Sequence, residues 1–201
     1  MHSRSSESES RYLAPGIDQC VKIVVLGPFA VGKTTLVGAV SEIRPASTEE
    51  RMTEAGKAVD TMRDLSDKTT TTVALDFGRL TLTDDIVLYL FGGPGQPRFS
   101  FMIDELIQGA LGGVVLVDTA RITESWDAMG RLEEAGLPYV VAVNTFHDSP
   151  AYGDTELRRA LDLAPSTPLV KCDVRHRESA KKPLIALVSH LLSRPSLEPV
   201  S

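Results

Sequence analysis

Cysteine is scarce: Cys20 and Cys172 stand alone near opposite ends of 201 residues. Two lone thiols exclude a disulfide scaffold and predict a reducing, cytoplasmic setting. Long apolar runs are missing as well. No stretch approaches the ~20 residues of a membrane span, and the N-terminal segment holds no apolar core of the kind a secretory leader needs. Residue 2 is His2, and Leu197 to Ser201 contain no cysteine, so neither N-myristoylation nor prenylation is expected. Basic charge is in deficit: 21 Lys and Arg face 27 Asp and Glu, for a net charge of −6. No basic stripe offsets that balance, which argues against nucleic acid or anionic lipid as a partner. Direct membrane insertion is not expected either.

What remains is an ordinary globular composition, 42% apolar, enough for one domain with a single core. Residues 1–18, rich in Ser and Glu, read as a disordered tail. The domain proper is expected over 19–194, and 195–201 as a flexible end. Cys20 to Leu26 is a β-branched run suited to a buried parallel strand. A helix is expected over Thr34 to Ile43, closed by Pro45. The polar stretch Ala46 to Thr71 has only a weak helical hint at Met52 to Met62, and unpatterned segments of that length are usually functional or mobile. Val73, Leu75 and Phe77 alternate with Ala74, Asp76 and Gly78 as in a half-buried strand. Ile86 to Phe91 pairs with it as a hairpin across Thr83-Asp84-Asp85.

Strands at Gly113 to Val117, Tyr139 to Val143 and Leu169 to Cys172 then alternate with helices at Ser125 to Ala135, Thr155 to Leu161 and Lys182 to Leu192. Pro183 suits a first helical turn. Leu184, Leu187, Val188, Leu191 and Leu192 form one core-facing stripe. The alternation predicts an α/β fold: a mostly parallel six-stranded sheet with one antiparallel strand and helices on both faces.

Between the first strand and the first helix lies Gly27-Pro28-Phe29-Ala30-Val31-Gly32-Lys33-Thr34, which fits the phosphate-loop pattern G-x-x-x-x-G-K-[ST] in the right context. A random match in a chain of this length is on the order of one in a hundred or rarer. The two glycines let backbone N–H groups turn inward around a phosphate, and the helix N-terminus adds partial positive charge. Gly27, Phe29, Ala30, Val31, Gly32, Lys33, Thr34 and Thr35 are therefore the candidate phosphate-binding residues. Lys33 is expected to reach the β- and γ-phosphates, and Thr34 to offer its hydroxyl to Mg²⁺.

The hairpin after the first helix points to GTPases among the phosphate-loop classes. Gly92-Gly93-Pro94-Gly95-Gln96 follows a strand and is similar to the D-x-x-G-Q loop of Ras-like proteins. There Gly95 would give its N–H to the γ-phosphate and Gln96 would orient the attacking water. Lys33 and Gln96 are the catalytic candidates.

The stretches GPFAVGKTTLV, TTTTVALDFGRL, LYLFGGPGQPRF and VVLVDTAR resemble the small GTPases encoded in actinobacterial conservon operons. They are also similar to bacterial gliding-polarity small GTPases. The resemblance runs from about Lys22 to about His190. It implies a Ras-like phosphate-loop fold, GTP hydrolysis to GDP with Mg²⁺, and a switch role in bacterial signalling. It also implies two partners, a roadblock-type regulatory protein and a sensor-kinase-like membrane protein that would recruit the chain to a membrane. Alignment on Asp76-Phe77 sets Thr72 at the family's switch threonine, a second ligand to Mg²⁺ and the γ-phosphate, with Thr71 the alternative.

Three departures stand out. Gly92 replaces the Asp that holds Mg²⁺ through water in Ras-like proteins; Asp118 is a conceivable substitute, though a cap for the following turn is the plainer role. The base-reading N-K-x-D motif appears as Asn144-Thr145-Phe146-His147. An imidazole offers at most one acceptor where a carboxylate offers two oxygens, which should weaken guanine selection, although Asp148 follows directly. The S-A-K loop appears as Asp173-Val174-Arg175, where the Val174 N–H is the candidate donor to guanine O6. Asn144, His147, Asp173 and Val174 are the candidate base contacts.

Two other readings compete with a GTPase. One is a module that binds nucleotide without hydrolysing it. The other is a small-molecule kinase, for which the nearest arginine pair, Arg158-Arg159, reads better as a solvated helix face. No arginine immediately precedes Thr72, so an internal catalytic arginine is not evident. Arg79, Arg98 and Arg121 have no assigned place, and unassisted hydrolysis is expected to be slow.

Overall fold

The computed structural model describes residues 19–44, 46–51, 72–96, 99 and 101–194, with backbone alone for 46–51 and 72–74. The two expected tails, the hint at Met52 to Met62, Thr71 and Arg98 lie outside the described residues. The elements in chain order are β1 (Gln19–Leu26), α1 (Lys33–Val40), β2 (Ala46–Arg51), β3 (Thr72–Thr81), β4 (Ile86–Gly92), α2 (Phe101–Ile107) and β5 (Gly112–Val117). A 3-10 segment (Thr119–Ser125) follows, then α3 (Trp126–Glu134), β6 (Tyr139–Asn144), α4 (Asp154–Ala160), β7 (Leu169–Cys172) and α5 (Arg177–Ser193). Among the described residues the sheet has seven strands in the order β2-β3-β4-β1-β5-β6-β7. β3 is antiparallel to both neighbours, so it alone runs against the rest. The expected mostly parallel sheet with one reversed strand is present. β2 extends it at one edge, in a stretch without hydrophobic periodicity to announce it.

Why Ile23 to Leu26 of β1, Gly113 to Val117 of β5 and Val140 to Val143 of β6 run apolar follows from their two covered faces. Ile23, Val25, Val114, Leu116, Val140 and Ala142 pack on one side with Leu36, Val37 and Val40 of α1 and Ala180, Leu184 and Leu187 of α5. Val24, Leu26, Val115, Val117, Val141 and Val143 face the other side, against α2, α3 and Leu157 of α4. A side-chain period of two thus divides each strand between two half-cores. Removing the side chain of a fully buried leucine such as Leu36 or Leu116 would cost about 2–5 kcal/mol.

Besides the added edge strand, the unforeseen α2 and a first helix that ends at Val40, short of Ile43, two departures bear on the core. The final helix starts at Arg177, five residues before Lys182, because Ser179 and Ala180 already bond back to the His176 carbonyl. Pro183 is therefore interior, and it leaves the Ser179 carbonyl without its helical N–H partner. The second departure concerns β3. Its apolar residues Leu75 and Phe77 are only half-buried, whereas Asp76 and Gly78 are buried. Phe77 stacks on Tyr89 on the open face. Gly78 lets α1 settle against the strand, since a Cβ there would lie 2.7 Å from Val37 Cγ1.

β1 is the pivot of the strand order. The chain leaves it toward β4 on one side and β5 on the other, and the crevice beyond the carboxyl ends of strands at such a point is where open α/β sheets bind ligands.

Candidate phosphate and base site

The loop from Gly27 to Gly32 links β1 to α1 across that crevice. Gly27 has φ +137°, and a Cβ there would strike the Leu116 carbonyl oxygen at 2.5 Å. Gly32 has φ +105°, with Asn144 Nδ2 2.9 Å from where its Cβ would be. Neither position tolerates a side chain. Ala30 also takes a positive φ, 60°. A glycine-rich loop of this kind can offer its N–H groups to an anion.

Lys33, only 8% exposed, donates to the carbonyls of Gly27 at 2.9 Å and Pro28 at 2.7 Å. Burial pushes its pKa down to about 8, against the pull of the Asp76 carboxylate. A cavity of about 350 Å³ opens above it, lined by Phe29, Ala30, Gly32, Lys33, Thr34, Thr35, Asp76, Gly93 to Gln96, and Phe99. The first and second candidate motifs thus converge on one space. Gly95 lies close against the loop: a Cβ on it would be 2.6 Å from Lys33 Nζ and 2.7 Å from the Phe29 nitrogen. Gln96 is half-buried on the same wall.

Sequence reasoning missed Asp76. It is 6% exposed, and its Oδ2 accepts a 2.6 Å hydrogen bond from the Thr34 hydroxyl. It pairs with Gly92 in the β3–β4 register. The available signal was an acidic residue on the strand beside one that has a glycine where a carboxylate was expected. Hydroxyl, carboxylate and phosphate oxygens are the hard donors Mg²⁺ prefers. Among the described residues no group of three His, Cys, Asp or Glu could hold a metal alone. The set Thr34–Asp76 fits an Mg²⁺ that is otherwise ligated by phosphates and water. Thr72 begins β3 opposite Arg51; its side chain lies outside what is described.

Asp118 is engaged in the turn that follows it. It caps the 3-10 segment through Ala120 N at 3.0 Å and also accepts from Ser149 Oγ at 2.7 Å and Arg121 Nε at 3.3 Å. Burial raises its pKa, but those three hydrogen bonds outweigh the effect and hold it below the usual carboxylate range. Arg121 also meets Glu124 at 3.2 Å and donates to the Phe29 carbonyl at 3.3 Å. It thus touches the phosphate loop through a backbone carbonyl.

The base-side candidates are divided. Asn144, 2% exposed, donates from Nδ2 to the Val31 carbonyl at 2.9 Å and accepts at Oδ1 from the Val174 N–H at 3.2 Å. It ties the phosphate loop to the loop after β7. Asp173 is forked by Arg175 at 2.8 and 2.7 Å, which holds its carboxyl down to about 2. The side chains of His147 and Asp148 stand in water, 96% and 102% exposed, 4.0 Å apart. Both cysteines are free thiols, and among the described residues no helix is long and apolar enough to cross a membrane.

Over residues 25–194 the chain matches a family described as conserved hypothetical ATP binding protein. An uncharacterized protein of Methanocaldococcus jannaschii is 32% identical over 126 residues, 62% of this chain and 69% of that protein. Among solved structures, the G domain of the T. maritima FeoB iron transporter superposes with a TM-score of 0.60 at 17% identity, covering 86% of this chain and 99% of that domain. The apo cytosolic domain of that transporter gives 0.62 at 17% identity over 88% of this chain and 66% of its own length. Its GDP form gives 0.61 at 17% identity over 88% and 65%. At that identity the likeness concerns the fold, that of a phosphate-loop GTPase domain. The chain belongs to the family of conserved hypothetical ATP-binding proteins.

Proposed function

We propose that this protein binds a nucleoside triphosphate, GTP in the first instance, and hydrolyses it to the diphosphate as a signalling switch. The observation that carries the reading is the convergence of Lys33, the Thr34–Asp76 pair and Gly95-Gln96 on one cavity. In the proposed reaction water attacks the γ-phosphorus, the bond to the β–γ bridging oxygen breaks, and inorganic phosphate leaves. Lys33 exchanges the Gly27 and Pro28 carbonyls for β- and γ-phosphate oxygens, and its charge offsets theirs. The Gly95 N–H meets the γ-phosphate, and Gln96 orients the water. Mg²⁺, when bound, neutralises charge on the phosphates; Thr34, Asp76 and Thr72 are its proposed holders.

Guanine as the base, the switch role in the cytoplasm, a roadblock-type regulator and a sensor-kinase-like membrane partner rest on the resemblance of the four motif stretches to conservon and gliding-polarity GTPases. Purified protein with GTP and Mg²⁺ should release phosphate slowly, on the order of 10⁻⁴ s⁻¹. Lys33→Ala should abolish tight nucleotide binding with the fold intact. Wild-type protein that binds GTP and never releases phosphate would leave a nucleotide-binding module instead.

A further inference from the structure

We propose that Asp118 is a positioning residue that couples the two halves of the nucleotide site: through it, order in the loop after β6 is passed to the phosphate loop. This rests on the reading that a nucleoside triphosphate fills the cavity above Lys33, with its base toward the loops after β6 and β7.

The phosphate loop carries one residue other than glycine in a left-handed conformation. Ala30 has φ 60°, which a side chain disfavours and which persists where the surroundings fix it. The carbonyls on either side of it, those of Phe29 and Val31, are both bonded from outside the loop. Arg121 Nη2 donates to the Phe29 carbonyl at 3.3 Å, and Asn144 Nδ2 donates to the Val31 carbonyl at 2.9 Å. Arg121 follows β5, and Asn144 ends β6.

Asp118 joins these two anchors. Its Oδ2 accepts from Arg121 Nε at 3.3 Å, and its Oδ1 accepts from the Ser149 hydroxyl at 2.7 Å. Ser149 lies in the loop that Asn144 opens. A parallel bond between the same two segments runs from Thr119 Oγ1 to the Pro150 carbonyl at 2.7 Å. The contacts close a ring: Phe29, Arg121, Asp118, Ser149, Asn144, Val31, and back along the phosphate loop.

A cap for the 3-10 segment needs one oxygen and one donor, the Ala120 N–H. Asp118 takes two side-chain donors besides, on a residue only 7% exposed. A base settling against the loop after β6 restricts Ser149. The carboxylate bonded to Ser149 then restricts Arg121, and Arg121 restricts Phe29 beside Ala30. Ordering brought about by one half of a ligand need not be supplied by the other, which is positive coupling between the two.

Two substitutions open the ring at different links. Asp118→Asn keeps an oxygen for Ala120 and Ser149 and turns an amide NH₂ toward the Arg121 guanidinium, donor against donor. Ser149→Ala removes the other link at a half-buried loop side chain, away from the core.

Inorganic tripolyphosphate reports on the phosphate loop alone, and GTP reports on both halves. Calorimetry on the full chain in Mg²⁺ gives the dissociation constants of each, for the wild type, both single variants, the double variant and Ser149→Thr. The wild type should hold GTP more tightly than tripolyphosphate. Each single variant should cut that advantage about fivefold or more, the lower end of coupling between sites. The double variant should be no worse than either single, because one open link already breaks the ring. Ser149→Thr keeps the hydroxyl and should keep the advantage. Equal losses of GTP and tripolyphosphate would make Asp118 a structural brace and overturn the coupling. Additive losses in the double variant, or a Ser149→Thr as impaired as Ser149→Ala, would overturn it too. A wild type that binds both ligands, with a ratio that no variant moves, overturns this inference alone. A wild type that binds neither overturns the reading of the cavity and this inference with it.

Discussion

Asp76 and Gly92 face each other across the β3–β4 ladder, and the side chain of the one fills the space a side chain on the other would need. A Cβ on Gly92 would approach Asp76 Cβ to 2.9 Å and Oδ2 to 3.0 Å. A carboxylate thus stands one strand over from Gly92, bonded to the Thr34 hydroxyl, and we propose that it takes the place of the one expected at the end of β4. Asp76→Asn keeps the shape and removes the charge. Nucleotide affinity in millimolar Mg²⁺ should fall at least tenfold, with affinity in chelator nearly unchanged. Equal losses in both conditions would place Asp76 in the phosphate loop's support instead of at a metal.

The same geometry predicts a non-additive pair. Gly92→Asp alone forces two carboxylates and an extra Cβ into one site, and overpacking of this kind costs about 1–3 kcal/mol. Moving the carboxylate, with Asp76→Gly and Gly92→Asp together, should recover both stability in denaturant and the Mg²⁺ dependence of binding. A double variant no better than the sum of its singles would show that the two positions do not share a role.

Lys33 sets a pH dependence. Its folded pKa is about 8 against 10.5 for a free side chain, through burial. Phosphate binding needs the ammonium and strengthens its hold on the proton. Affinity should be flat below about pH 8 and fall above it, by at most tenfold per pH unit, with proton uptake on binding. Stability of the free protein moves the other way. Between about 8 and 10.5 the unfolded chain holds the Lys33 proton and the folded chain does not, so the contribution of this residue to stability rises with pH through that window. Calorimetry at pH 9 in buffers of different ionisation enthalpy measures the uptake. Proton release would reverse the assignment.

The phosphate loop was legible in the sequence because its chemistry requires particular residues at fixed spacing, and Gly27, Lys33 and Thr34 satisfied it. The buried strands were legible for a similar reason: β1, β5 and β6 need two apolar faces. Asp76 was not, because an alternating strand suggests that its polar residues face water. Here the apolar Phe77 is half-buried against Tyr89, and Asp76 is buried and bonded to Thr34. β2 carries the sequence Ala-Ser-Thr-Glu-Glu-Arg, and its place at the sheet edge comes from pairing with β3, a non-local relation without a local pattern. The commitments of Asn144 to Val31 and Val174 are equally invisible in one dimension, since they join residues 113 and 30 positions apart.

Hydrolysis without a partner should remain slow, and Arg121 is the reason to measure it. Charge building on the γ-phosphoryl oxygens needs a cation beyond Lys33, and an arginine supplied internally or by a partner is worth 10³–10⁵ in rate. Arg121 touches the phosphate loop through the Phe29 carbonyl, and it is held there by Asp118 and Glu124. In that position its guanidinium is engaged by two carboxylates and a loop carbonyl. Arg121→Ala should therefore change the single-turnover rate of purified protein by less than about threefold. On the proposed reading that Gln96 orients the attacking water, Gln96→Leu should lower the rate at least tenfold while nucleotide affinity changes little. A hundredfold loss in Arg121→Ala, with affinity preserved, would mean that the side chain leaves Phe29 and completes the site from within the chain.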